Sequence, residues 1–256
     1  MKNKRFLGQH FLNSEKIKYK ILDTVKKYER YCNSILEIGP GDGAITEELL
    51  CLNKPVFAVE KDKNLSLLLK KKYSNLNLFE CDARSFEMSK IGSNFLPVLL
   101  IGNLPYYAST DIILNLLSNH SKISSAHFTI QKEVALKFSS PAGEKYYSKY
   151  SVWAEIFYNT LIEFEIKRGA FSPPPKVLSS FITFIPEKQP CITEFDSLSF
   201  FLFVEKLFQH PRKKIKTLFE KFGINNKLVD FDRSILDSRA KELPASIFAQ
   251  LFLKKS

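Results

Sequence analysis

Apolar residues recur along the first two-thirds of the chain in two alternating rhythms. Short, mostly apolar runs at 34–38, 55–59, 76–81, 97–101 and 126–130 have the length of buried strands. Between them, residues 14–30, 44–51, 63–72 and 110–117 carry apolar positions at helical spacing. In the first of these helices Ile17, Ile21, Leu22 and Val25 line one face, and Ser14 stands where a capping side chain belongs. Strands that alternate with helices predict a parallel sheet covered on both faces. Two later strands, 161–166 and 179–185, flank a proline-rich segment at 172–175. So short a connection predicts an antiparallel pair, because a parallel crossover needs about a dozen residues or more. Beyond Pro190 the pattern turns helical to the end. Pro186 and Pro190 flank polar residues, which places a domain boundary near 186–192 and divides the chain into domains at 1–188 and 189–256.

Composition narrows the classes. The chain has 256 residues, 45% of them hydrophobic and 25% charged, which is globular. No apolar run reaches the roughly 18–20 residues of a membrane helix, and the N-terminus MKNKRFLGQHFL lacks the apolar stretch of a signal peptide. A cytoplasmic protein without a membrane partner is expected. Cys32, Cys51, Cys81 and Cys191 show no CxxC spacing, and His10, His120, His127 and His210 form no ligand pair at helical spacing. No metal site is expected. The net charge of +11 is unevenly spread. Residues 1–30 hold nine Lys/Arg against three Asp/Glu, residues 31–185 sixteen against fifteen, and residues 186–256 thirteen against nine. A near-neutral middle with basic ends suits a polyanion partner, and a solvated lysine-rich surface is the plainer explanation. The densest cluster holds Lys206, Arg212, Lys213, Lys214 and Lys216.

Two motifs carry chemistry. Residues 35–50 read ILEIGPGDGAITEELL, a strand running into Gly39-Pro-Gly41-Asp-Gly43 and then a helix. Glycines there permit a tight turn and close backbone approach to a ligand. This is GxGxG, with no Lys-Ser/Thr after it, so a phosphate-binding P-loop is excluded. Glu60 ends the next strand 21 residues past Gly39, where an acid accepts hydrogen bonds from ribose hydroxyls, and Asp82 follows the third strand. Together they predict a nucleoside cofactor in a crevice at the carboxyl edge of the sheet. NAD competes, but the GxGxG form and the second motif favour S-adenosylmethionine. That second motif, IGNLPYY at 101–107, ends the fourth strand and shares the crevice. Asn103 offers a side-chain carbonyl, Leu104 a backbone carbonyl and Tyr106 an aromatic face. Two acceptors and a stacking plate suit a planar molecule with an exocyclic amino group.

NLPY resembles the Asn/Asp/Ser-Pro/Leu-Pro-Tyr/Phe motif of amino-group methyltransferases. Further, RFLGQHFL (5–12), EIGPGDGAIT (37–46), GNLPYY (102–107), QKEVA (131–135), YSKYSV (147–152) and FSPPPKVLSS (171–180) occur in the order of the ribosomal RNA adenine dimethyltransferases. The chain resembles that family, and its small-subunit branch in particular, over nearly its whole length. The resemblance implies a Rossmann-like class I methyltransferase fold with a seven-stranded, mostly parallel sheet and a small all-α C-terminal domain. It implies dimethylation of the N6 amino groups of two adjacent adenosines near the 3′ end of 16S ribosomal RNA, coupled to late small-subunit assembly. It also implies a monomer acting on the small ribosomal subunit. Gln9, His10 and Leu12 fall where the family's N-terminal segment closes over the methionine end of S-adenosylmethionine. Gly39 and Gly41 match the backbone approach, Glu60 the ribose contact and Asp82 the adenine contact. Asn103 serves cofactor and target, with Leu104 as the second acceptor. Phe171 matches an aromatic residue that stacks on the flipped base opposite Tyr106. Lys4, Arg5, Arg212, Lys213 and Lys214 are the implied RNA contacts. His10, Cys81 and Tyr107 depart from common family residues, where Asn, Gly and Asn are frequent. Large-subunit RNA, DNA adenine or a protein glutamine are alternative targets, and a non-catalytic assembly factor is an alternative class.

Overall fold

The computed structural model describes residues 10–222 and 231–255. After a two-residue strand, β1 (Phe11–Leu12), the chain alternates as its apolar rhythm predicts. Helix α1 (Glu15–Tyr28), strand β2 (Ser34–Ile38), helix α2 (Thr46–Leu50), strand β3 (Val56–Glu60), helix α3 (Lys63–Lys72) and strand β4 (Asn77–Glu80) follow in turn. Then come β5 (Val98–Asn103), α4 (Ser109–Leu117) and β6 (Ile123–Gln131). Ser14 does occupy the N-cap of α1, but its side chain makes no capping bond. Its carbonyl accepts from the amides of Ile17 and Lys18 instead. Side-chain capping falls to Asp62 at α3, which accepts from the amides of Asn64 and Leu65.

With β7 (Tyr158–Ile166), β8 (Phe171–Ser172) and β9 (Ser179–Pro186), two sheets form. The larger has seven strands in the order β4-β3-β2-β5-β6-β9-β7, the number expected. Neighbours from β4 to β6 run parallel, and β9 is antiparallel to β6. Every residue of β2 and β3 is buried, which strands covered on both faces require. The edge strand β4 carries exposed Asn77 and Glu80, as an edge must to discourage further pairing. From β2 the chain steps outward to β3 and β4, then returns to lay β5 on the other side of β2. That reversal opens a crevice at the carboxyl ends of β2 and β5. The smaller sheet pairs β1 with β8, Phe11 opposite Ser172 and Leu12 opposite Phe171.

The core on one side of the large sheet is built from Ile21, Leu22 and Val25 of α1 packed with Ile35, Leu99 and Phe181. His127 of β6 is buried nearby. Its ring nitrogens bond Thr183 Oγ1 at 3.0 Å and Ser125 Oγ at 2.9 Å, and the Tyr28 ring lies 4.9 Å away. Burial holds this imidazole neutral and pushes its pKa down from 6.5 to about 3. Between those two values the unfolded chain binds a proton that the folded chain refuses. Stability therefore falls as pH drops through that window, by up to roughly 5 kcal/mol. Urea midpoints measured from pH 7 to pH 4 will drop for the native chain and drop less for His127→Gln, which keeps one donor and one acceptor. Equal slopes would refute the assignment.

By compactness the chain forms two units, Met1–Ala135 with Leu161–Pro186, and Leu136–Thr160 with Glu187–Ser256. Residues 136–160, placed with the sheet in the two-domain division drawn from the sequence, group with the second unit. The reason lies in helix packing. Helix α5 (Lys132–Ser139) leads into this stretch, and α6 (Lys149–Phe157) packs with α7 (Ser197–Phe208) and α10 (Ala245–Lys255). The α6 indole nitrogen of Trp153 donates to Ser197 Oγ at 3.0 Å, and the Tyr147 hydroxyl donates to the Leu243 carbonyl at 2.8 Å. Phe200 and Phe203 both set their rings against Phe252. Two shorter helices, α8 (Ile215–Lys221) and α9 (Arg233–Asp237), complete the described part of this unit. Among the described residues no helix is long and apolar enough to cross a membrane.

Candidate active site

Four strand ends meet at the crevice. β2 delivers the glycine turn, β3 delivers Glu60, β4 is followed by Asp82, and β5 ends in Asn103. They line a cavity of about 460 Å³ together with His10. Gly39 and Gly41 adopt φ of +65° and +63°, conformations that side chains resist. A Cβ on Gly39 would meet nothing within 4 Å, so the bare backbone faces open space there.

Glu60 is buried and doubly held. Its Oε2 accepts from Gly41 N at 3.2 Å and its Oε1 from Asp62 N at 2.8 Å. Burial pushes its pKa up, against the pull of those amide bonds. Asp82 is the opposite case. Arg84 forks onto it, with Nη2 at 2.7 Å from Oδ2, and Lys61 Nζ adds a contact at 2.8 Å. Arg84 chiefly, with help from Lys61, holds the Asp82 carboxyl well below the usual carboxylate range. One acid is thus buried among amides and the other is kept ionised among cations. Neither Lys61 nor Arg84 stands out in the sequence as a site residue, since an ion pair between neighbouring strand ends has no motif.

Asn103 is fixed by chemistry as much as by geometry. Its Nδ2 donates to the His10 carbonyl at 2.8 Å. A carbonyl can only accept, so the amide must present its nitrogen there, and Oδ1 is left as an acceptor. The His10 ring is anchored in turn, with Nδ1–H donating to the Pro173 carbonyl at 2.7 Å. Its ring centroid lies 5.4 Å from that of Tyr106, tilted by 39°. The Tyr106 hydroxyl bonds Ser179 Oγ, and burial raises its pKa. Leu104 is buried, its amide donating to the Thr129 carbonyl at 3.0 Å. Tyr107 is 64% exposed and, like Cys81, lines the cavity.

The structure does not bring every candidate to this cavity. Phe171 is 3% exposed and belongs to the apolar core, where β8 pairs it with Leu12. Its ring makes no contact with that of Tyr106. The stacking partner expected opposite Tyr106 is in this structure a core residue, because the β1–β8 ladder turns it inward. Leu12 is likewise buried and lines a smaller cavity of about 40 Å³ behind the glycine turn. Gln9, Lys4 and Arg5 lie outside the described residues. In the second unit Arg212 and Lys213 are exposed between α7 and α8, while Lys214 pairs with Asp237 at 3.3 Å. Among the described residues no group of three or more His, Cys, Asp or Glu could hold a metal ion.

Glu37 escaped the sequence reading. It stands on β2 two residues before Gly39, is 2% exposed and lines the smaller cavity. Thr46 Oγ1 donates to its Oε2 at 2.7 Å, and burial pushes its pKa up to about 8. A glutamate inside an apolar run was the available signal.

Comparison with known proteins places this geometry in a family. The family model described as ribosomal RNA adenine dimethylase matches residues 1–254. A ribosomal RNA small subunit methyltransferase A of Marinobacter nauticus is 38% identical over 189 residues, covering 73% of this chain and 67% of the relative. The protein of that name from Coxiella burnetii is 34% identical over 223 residues, covering 85% and 84%. Among solved structures, a dimethyladenosine transferase from Plasmodium falciparum superposes with a TM-score of 0.79 at 25% identity, covering 96% of this chain and 97% of its own. The 23S rRNA methyltransferase ErmE shares the fold, with a TM-score of 0.70 at 20% identity and coverage of 95% and 98%. A match that runs from the first residue almost to the last leaves neither unit outside it, and the chain belongs to the ribosomal RNA adenine dimethylase family.

Proposed function

We propose that this chain uses S-adenosylmethionine to dimethylate the N6 amino groups of two adjacent adenosines near the 3′ end of 16S ribosomal RNA. In this reading it works on the small ribosomal subunit late in assembly, as a monomer in the cytoplasm. The observation that carries the chemistry is Asn103, an amide whose nitrogen is committed to His10 and whose oxygen is therefore an acceptor beside a nucleoside-sized cavity.

The residues fit such a donor. Carboxylates suit the hydroxyl and amino groups of an adenosine, and the open face of Gly39 suits close backbone approach. In this reading Glu60 holds the ribose, Asp82 reads the adenine amino group, and His10, Leu12 and Gln9 close over the methionine end. When bound, the donor supplies a sulfonium methyl, an electrophile that needs no further activation. The protein's task is then orientation. The target nitrogen is a weak nucleophile because its lone pair is delocalised into the ring. Asn103 Oδ1 and the Leu104 carbonyl accept its two N–H bonds, which favours a pyramidal nitrogen with the lone pair directed at the methyl. Positioning of this kind contributes several powers of ten in rate. Tyr106 stacks on the extruded base, at roughly 1–3 kcal/mol. We assign Phe171 a bracing role, since its backbone holds Leu12 and its ring is in the core. Arg212 and Lys213 serve as RNA phosphate contacts of a helical docking domain, with Lys214 already paired to Asp237.

The test is transfer from labelled S-adenosylmethionine to unmethylated small subunits, with free small-subunit RNA, large subunits and DNA alongside, read by nucleoside mass spectrometry. Dimethyladenosine on small subunits alone is expected. Product on another nucleic acid only would keep the chemistry and overturn the substrate. Subunit binding without product would leave an assembly factor in its place.

A further inference from the structure

The 40 Å³ cavity behind the glycine turn shares Gly39, Gly41 and Asn103 with the larger one, and its buried acid is Glu37. Three carboxyl groups converge on this region from separate elements: Glu37 on β2, Glu48 on α2 and Glu60 on β3. Asp42, on the glycine turn, adds a fourth at the exposed rim. β1, α1, β5, β6 and β9 present only uncharged side chains, among them Leu12, Ile21, Asn103, Thr129 and Phe181. Among the described residues no cation forms an ion pair with Glu37, Glu48 or Glu60. Glu48 Oε2 is buried without any hydrogen-bond partner. A buried carboxylate with one hydroxyl partner and acidic neighbours is costly to ionise. Burial accordingly holds Glu37 mostly protonated at neutral pH, its pKa pushed up to about 8. No cation lines the smaller cavity; Lys61 on the larger one is paired with Asp82, and Lys20 and Lys26 share an outer depression with Glu48.

We propose that Glu37 makes the site sensitive to the charge of the methyl donor, surrendering its proton when the cationic donor binds and recovering one when the sulfur has become neutral. This rests on the reading of the cavity as the donor's site. Glu37 carries its proton on the oxygen that does not accept from Thr46, and ionises when a positive charge lies across the glycine turn. Transfer breaks the sulfur–methyl bond, with the electron pair staying on sulfur, and forms a nitrogen–methyl bond. The target nitrogen sheds one proton. One positive charge thus disappears from sulfur as one proton is released, and Glu37 is reprotonated without an outside acid. The ionised carboxylate favours the charged donor and has no such attraction for the neutral thioether left behind. Glu37 is then a residue that discriminates substrate from product, acting through charge and not through contact with the target base.

The experiment is calorimetric titration of the whole chain with S-adenosylmethionine and with S-adenosylhomocysteine, each in buffers of low and high ionisation enthalpy. Both ligands share the amino acid group and the ribose that Glu60 would meet, so proton changes at those groups cancel in the comparison. At pH 7 the donor is expected to release roughly one proton more per site than the product. Its affinity relative to the product should rise about tenfold between pH 7 and pH 9, since one pKa unit corresponds to a tenfold change. Glu37→Gln keeps an acceptor for Thr46 and should abolish both differences. The pH series on the native chain tests the idea independently of that variant's folding. Equal proton release for both ligands, or a difference that survives in Glu37→Gln, overturns the role of Glu37 and leaves the proposed function standing. Failure of both ligands to bind overturns the donor site itself, and this inference with it.

Discussion

Asn103→Ala will slow methyl transfer by at least about 10²–10³-fold, the loss seen when one preorganised polar group is taken from a reacting centre. Its Nδ2 is bound to the His10 carbonyl at 2.8 Å, so the amide cannot turn, and Oδ1 is the group left to meet the target amine. Asn103→Ala also loses the His10 contact, so single-turnover rates on small subunits are measured at saturating donor, which separates the chemical step from weakened donor binding. Asn103→Asp supplies the contrast. It keeps an acceptor but sets an anion against the His10 carbonyl, so it should lose the N-terminal contact and donor affinity together. A single-turnover rate in Asn103→Ala equal to that of the native chain would remove the side chain from the reaction.

Gly102→Ala will destabilise the fold by roughly 3 kcal/mol, the upper end of what overpacking costs. Gly102 pairs with Ile38 across β2 and β5, one residue before Asn103. A Cβ there would sit 2.5 Å from the Ile38 carbonyl oxygen and 3.0 Å from its Cβ. The obstructing atom is backbone in the centre of a sheet, and it cannot swing aside. Whatever folds will have β5 displaced and Asn103 moved with it, so activity will fall further than stability. Gly169→Ala, where nothing lies within 4 Å, is the control and should be close to neutral. Urea midpoints for the two variants decide it. Equal midpoints would mean that the β2–β5 contact is looser than described.

The hydrophobic pattern made the parallel sheet legible because buried strands and amphipathic helices differ in period, and that difference survives in a single sequence. The glycine turn, Glu60, Asp82 and Asn103 were legible because topology forces successive parallel strands to end on the same edge. What stayed hidden was long-range. Two-residue strands such as β1 and β8 have no period to detect, so the ladder that buries Phe171 was invisible; an aromatic before prolines reads by itself as core or a loop anchor, and only the family resemblance implied stacking. Helices α5 and α6 interrupt the strand–helix alternation, and the grouping of α6 with α7 and α10 depends on which apolar face meets which. Gly102 resembled any strand glycine until its distance to Ile38 was known. Glu37 resembled part of a glycine motif until its burial and its lack of a cation were seen.

The hydrogen bonds that hold Asn103 also set a timetable for synthesis. The His10 carbonyl is made 93 residues before the amide it orients, and the Pro173 carbonyl that holds the His10 ring is made 163 residues after His10. Local helices and the first parallel strands need wait for little, and the Asn103–His10 bond needs only the first 103 residues, but the Pro173 clasp on the His10 ring cannot close until the ribosome has released the chain past residue 173. A nascent chain therefore carries its NLPY segment through the synthesis of residues 104–173 before the brace on the His10 ring exists. Competence arrives late, when a residue near the start of the chain is caught by the segment that leads into β9.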